Sequence, residues 1–271
     1  MFSPATKLKA RSSLLPLLVL TVFVGGCSGR HSNLELDSFA TGSTTDAPPP
    51  EAGAPSYMRT RELSAAWAAH PGDEKIGFDY ATNLGKLGQL DTQTEVLKSL
   101  SLAHPNDPAL QSRIGKEFLT AQRPGEAATI LERATASGKA DWKTYSALGS
   151  AYDQQGQFDL ARQQYNKALA LQPGALSVEN NMGLSFALQG KLPEAEKVLR
   201  SALAQPGSAA MPQVRQNLAL VIGLQGRMDE AKQIASADLP PDQVEANMNY
   251  LQQMLAKPNT WAQLAKQNAA N

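Results

Sequence analysis

One interval governs most of this chain: the same residue types return every 34 positions. The clearest unit reads Tyr145, Leu148, Gly149 and Tyr152, then Ala161, Tyr165, Ala168 and Pro173. One interval later stand Met182, Gly183, Phe186, Ala195, Leu199 and Ala202; one earlier, Ile114, Gly115, Phe118, Ala127, Leu131 and Ala134. Two intervals back come Tyr80, Ala81, Leu84, Leu97 and Pro105, with Gln93 where a small residue is expected. Leu218, Ala219, Ile222 and Ala231 continue the series after two extra residues between Gly207 and Pro212. A period of this length marks stacked helix hairpins. Leu148 and Tyr152, four apart, lie one above the other on a helix face. Gly149 and Ala161 are small where two helices must approach closely. No single hairpin can bury its apolar face, so neighbours pile into a superhelix with a concave and a convex side. Gly88, Gly156, Gly190 and Gly226 recur at the phase where the first helix must end, a place suited to the left-handed conformation. Gln122 occupies that phase in one unit, and Pro124-Gly125 is expected to make its turn differently.

The order large, small, aromatic, then Ala, large, Ala, Pro resembles the tetratricopeptide repeat over about residues 75–238. The resemblance implies an all-α helix-turn-helix solenoid of four to five repeats between capping helices. Tyr57 to His70 reads as the first cap. After Leu239-Pro240-Pro241, apolar residues at Val244, Met248, Leu251 and Leu255 form one stripe, fit for a helix that closes the last repeat or binds a partner. His70-Pro71 and His104-Pro105 are 34 apart and share a phase with Gln172-Pro173, which makes them turn residues rather than catalysts or ligands. Trp67, Trp142 and Trp261 fall at different phases and read as packing residues. No HExxH, CxxC, GxxxxGK or GxSxG occurs, so no catalytic residue, metal site or cofactor is expected. Lys and Arg total 25 against 25 Asp and Glu, a balance that argues against a nucleic-acid partner.

The first residues read as an address. Lys7, Lys9 and Arg11 precede an apolar run from Leu14 to Val24, then Gly25, Gly26 and the sole cysteine, Cys27. A basic stretch, a short apolar run and small residues make a secretory signal over residues 1–26. The run is about half the ~20 residues that a membrane-spanning helix needs. Val24-Gly25-Gly26-Cys27 resembles the bacterial lipobox, which implies lipidation of Cys27. Ser28 after it implies, by the same resemblance, the outer membrane, with the chain facing the periplasm. Residues 27–55, rich in Pro, Gly, Ser and Thr, read as a disordered linker in which His31 is inert. Residues 56–238 are then the solenoid and 239–271 a closing helix and tail.

In tetratricopeptide proteins the first helix of each pair lines the groove. One inward phase carries Asp79, Arg113, Ala147, Asn181 and Asn217. Side-chain amides both donate and accept, so Asn181 and Asn217 are candidates for holding a peptide backbone. Arg113 is a candidate for a carboxylate. Leu184, Leu220 and Leu224 are expected to add apolar groove surface. The chaperone-type carboxylate clamp is not supported, because Ser112, Lys116, Ser146 and Ser150 occupy its phases.

Three segments carry a narrower resemblance. They are Asn180 to Leu188, Val214 to Leu220, and Asp238 to Asn247 followed by Tyr250-Leu251. They resemble the lipoproteins of tight-adherence (Tad/Flp) pilus assembly, the TadD family. That resemblance implies a non-enzymatic scaffold at the outer membrane whose partners are the pilus secretin or accessory pilus assembly proteins. A type IV pilus pilotin, or a regulator of cell-envelope enzymes, remains an alternative among lipoproteins of the same repeat. The lipobox reading predicts that Cys27→Ser releases the protein from membranes or leaves it unprocessed, which membrane fractionation and mass spectrometry would show.

Overall fold

A computed structural model describes residues 56–136 and 138–256. The signal segment, Cys27, His31, the linker to Pro55, Trp261 and the tail beyond Ala256 lie outside the described residues. Among the described residues, twelve α-helices and one short 310 turn follow one another, with no strand.

After α1 (Tyr57–Ala69) the helices come in pairs: α2 (Glu74–Lys86) with α3 (Leu90–Ala103), and α4 (Pro108–Thr120) with α5 (Pro124–Ala136). Next come α6 (Trp142–Gln154) with α7 (Phe158–Leu171), α8 (Leu176–Leu188) with α9 (Leu192–Leu203), and α10 (Pro212–Leu224) with α11 (Met228–Ala235). Helix α12 (Pro241–Ala256) follows. Each first helix packs on its own second helix. Helices α4, α6, α8 and α10 also touch one another in succession, so the first helices form one continuous wall.

The pairs close on small residues. A Cβ at Gly149 would lie 2.5 Å from a ring carbon of the fully buried Tyr165. Gly115 meets Leu131 at the same 2.5 Å, and Gly183 meets Leu199 at 2.6 Å. In the last pair both positions are small: Ala219 takes the glycine phase and Ala235 the phase of Tyr165 and Leu199, and both are buried. Gln93, the oversized residue of the first pair, has its own answer. Its side chain lies 2.7 Å from where a Cβ of Gly85 would be, so a glycine opposite makes the room that an alanine makes elsewhere. The exchange is imperfect, because Gln93 Oε1 is buried without a hydrogen-bond partner.

Gln122 departs from expectation in an informative way. Its φ is 56°, the left-handed region, like that of Gly88, Gly156 and Gly226. Its N–H donates to the Leu119 carbonyl at 3.0 Å and the Arg123 N–H to that of Phe118 at 2.8 Å. Gly156 and Gln157 make the same two bonds to Asp153 and Tyr152. The turn is therefore built the same way as the others, and not differently through Pro124-Gly125. A side chain there costs about 1–2 kcal/mol in backbone strain, which the stacked hairpin overrides.

The helix starts hold a second periodic device. Asp73, Asp107 and Asp141 stand 34 apart, and their carboxylates accept from the N–H of Ile76, Leu110 and Thr144 at 2.8, 3.0 and 2.8 Å. Such caps are worth about 1 kcal/mol each. Ala175 and Met211 take that place before α8 and α10 without a side-chain cap. The histidines cap helix ends as their phase requires. His70 and His104 follow α1 and α3, and His104 Nε2 lies 2.6 Å from the Gly72 carbonyl, to which it donates.

Helix α12 ends the wall. Val244, Met248 and Leu251 are buried, and a Cβ at Gly223 of α10 would come within 2.6 Å of Leu251. Leu255, expected on the same stripe, is 42% exposed, so the buried stripe stops at Leu251. Trp67 and Trp142 pack half-buried against the core.

Gly149→Ala is expected to lower stability by about 1–3 kcal/mol in chemical denaturation, because Tyr165 cannot retreat. Gly125→Ala, on a helix with nothing within 4 Å, should instead stabilise by about 0.5 kcal/mol.

Candidate functional site

The groove candidates all lie on the first-helix wall, but the structure uses them differently. Arg113 is engaged: it is ion-paired with Glu74 of the preceding first helix, and its guanidinium stacks 4.1 Å from the Phe78 ring centroid. Asp79 pairs with Lys75 at 2.7 Å. Asn217 Nδ2 donates to Asn180 Oδ1 at 2.7 Å, which commits one of its groups to the α8–α10 seam. Asn181 is half-buried and its side chain makes no hydrogen bond among the described residues, so its amide stays open to a ligand. Leu184 and Leu220 are half-buried on the wall. Leu224, expected beside them, is only 8% exposed and packs in the core with Val221 and Ile222. It therefore contributes little surface.

Each seam between neighbouring first helices carries a polar link. Glu74 meets Arg113 between α2 and α4, Ser112 meets Thr144 at 2.7 Å between α4 and α6, and Asn180 meets Asn217 between α8 and α10. The α6–α8 seam is the most elaborate. Asp153 accepts from the Ser185 hydroxyl at 2.6 Å and from the Tyr165 hydroxyl at 2.8 Å. Arg162 stands beside them, donating to Gln189 at 2.9 Å and lying 4.7 Å from the Phe186 ring centroid. Burial pushes the Asp153 carboxyl up to about 6, against the pull of those two hydroxyls and of Arg162. Spacing offers no hint of this cluster, since Leu119 and Ala187 occupy the Asp153 phase in adjacent units.

The three segments of the narrower resemblance are physically joined. Asn180 and Asn217 link the first to the second. Arg215 is ion-paired with Asp238 of the third, and Gln216 Nε2 donates to the same carboxylate at 3.2 Å. A cleft of about 270 Å³ lies between α3 and α5, with Leu102, Phe118 of α4 and Ile130 as its apolar lining. Among the described residues no group of three or more His, Cys, Asp or Glu is placed to hold a metal ion. At its α8–α10 end the wall offers the amide of Asn181 and the half-buried Leu184 and Leu220.

Residues 112–175 and 146–212 match a family model described as the tetratricopeptide repeat. A curated relative, the uncharacterized protein y4yS of Sinorhizobium fredii, is 27% identical over 101 residues, 37% of this chain. The match spans 56% of that relative, little more than half its length. Among solved structures, TTC0263, a thermophilic TPR protein of Thermus thermophilus, is similar over 66% of this chain and 98% of its own, at 22% identity and a TM-score of 0.52. MamA of Desulfovibrio magneticus RS-1 is similar over 54% of this chain and 82% of its own, at 21% identity and a TM-score of 0.46.

Asp153 generates a pH prediction. An acid whose folded value is raised from 3.8 to about 6 holds its proton more tightly when folded, so stability falls as pH rises across that interval. Relative to wild type, Asp153→Asn should lack this fall, a difference of order 2–3 kcal/mol between pH 4 and 7 by the linkage of about 1.4 kcal/mol per pH unit. Superimposable stability profiles for the two proteins would show that Asp153 is not the group responsible.

Residues 112–212 are similar to the tetratricopeptide repeat, and the helical solenoid built around them has the fold of a tetratricopeptide-repeat solenoid.

Proposed function

We propose that this protein is a non-enzymatic, lipid-anchored scaffold of the outer membrane, facing the periplasm, that supports Tad/Flp pilus assembly. It holds protein partners, the pilus secretin or its accessory proteins, along the first-helix wall and so aids secretin assembly or stability. The observation that carries the reading is the linking of the three TadD-like segments to one another through Asn180–Asn217 and Arg215–Asp238. Asn181 and Leu184 lie inside the first of these segments, with an open amide and half-buried apolar surface. Cys27 after Val24-Gly25-Gly26 supports the anchor, and Ser28 supports the outer membrane.

The test replaces Asn181 by Ala in the full chain, since Asn217 also bears on stability through Asn180. The variant should keep the wild-type melting temperature, retain several-fold less secretin on co-purification, and leave cells with few surface pili. Normal secretin capture and normal piliation would overturn the reading. Full piliation with altered cell-wall synthesis would favour a regulator of envelope enzymes.

A further inference from the structure

The first-helix wall is not uniform in charge. Helices α2, α4 and α6 carry charges of both signs: Glu74, Lys75, Asp79 and Lys86, then Arg113, Lys116 and Glu117, then Lys143 and Asp153. Helices α8 and α10 hold one acid and one base between them, and both are already engaged. Glu179 accepts from Gln205 at 2.6 Å, and Arg215 is ion-paired with Asp238. What remains on this part of the wall is Leu184, Leu188 and Leu220, all half-buried, with the open amide of Asn181 among them. On the far side α12 closes the wall through Leu251 against Gly223.

A charged ligand side chain seated here would lose its water without gaining a counter-ion, a cost of kilocalories that an uncharged side chain avoids. The same apolar surface rewards leucine- or valine-like groups in proportion to the area they cover. Asn181 can both donate to and accept from a peptide group, which fixes a backbone without reading its side chains. Neighbouring helices pack about 8–10 Å apart, so the two-helix stretch is about 20 Å wide. At about 3.3 Å per residue this accommodates roughly six residues of extended chain.

We propose that α8 and α10 form a seat for an uncharged, leucine- and valine-rich segment of a partner protein, about six residues long and lying across the wall. The proposal rests on the groove reading given above and names the chemistry of the segment the groove takes. Binding at this seat is insensitive to salt, because no ion pair forms there.

The probe is a fluorescein-labelled peptide with the core Leu-Val-Ala-Leu-Val-Leu between Gly-Ser ends, titrated with the full-length protein and followed by anisotropy. Saturable binding is expected, unchanged as salt is raised. The same peptide with two core residues replaced by Asp should bind at least about tenfold more weakly, the loss that 1.4 kcal/mol represents. Leu184→Asp should weaken binding of the apolar peptide by a similar factor, with an unchanged circular-dichroism melt, whereas Lys143→Glu should leave it unaltered. Equal binding of the Asp peptide, wild-type affinity in Leu184→Asp, or loss in Lys143→Glu would each overturn the seat. Concentration-dependent dimerisation in sedimentation, abolished by Leu184→Asp, would assign the surface to a second copy and overturn it likewise. Secretin capture that depends on Asn181 while the apolar peptide does not bind would overturn this seat and leave the groove reading standing. Failure of both would remove the two together.

Discussion

The whole array depends on how closely two helices of a pair can approach. At Gly115, Gly149 and Gly183 the opposing side chain occupies the space that a Cβ would need, at 2.5–2.6 Å. This contact fixes the distance within each pair, and that distance fixes where the next first helix can lie. Because the same contact is repeated, the first helices fall into one wall instead of a bundle of unrelated packings. The buried leucines and aromatics supply most of the stabilising area, but the glycines decide the geometry in which it is buried.

Polar seams then lock the register of neighbouring units. Each uses a different chemistry: Glu74 with Arg113, Ser112 with Thr144, Asp153 with Ser185, Asn180 with Asn217. The variety matters, since identical links would let one unit slip onto another's partner. It also explains why wall positions that look equivalent by spacing differ in availability. Asn217 is drawn into a seam, Arg113 is neutralised and stacked, and Asn181 is left open.

What spacing conveys is the recurring part. The glycine and alanine contacts, the buried leucines and the turn histidines all follow from the 34-residue interval, and the structure places them accordingly. What it missed is the individual part. Gln122 adopts the left-handed turn and makes the same two backbone bonds as its glycine counterparts, and a substitution at one phase does not announce that the backbone ignores it. Gln93 is tolerated through Gly85, a change at a different phase. Leu224 shares its phase with the half-buried Leu188, yet α10 is enclosed more deeply and Leu224 goes inside. Asp153 has no counterpart at its phase, so its bonds to Ser185 and Tyr165 appear only in three dimensions. The capping residues Asp73, Asp107 and Asp141 recur every 34 positions just ahead of a first helix, a periodic signal legible in the sequence.

One asymmetry between the two ends carries a consequence of its own. Helix α12 buries three apolar residues against α10, whereas α1 has no buried residue and is held by half-buried Leu63 and Trp67 and by Asn83 reaching Ser56 and Thr60. Local opening begins where the fewest apolar contacts must be broken. Opening from the amino-terminal end of the solenoid therefore starts at α1, the helix with the least apolar area to release. The paired units behind it are held by their own glycine contacts and do not depend on α1 for their alignment.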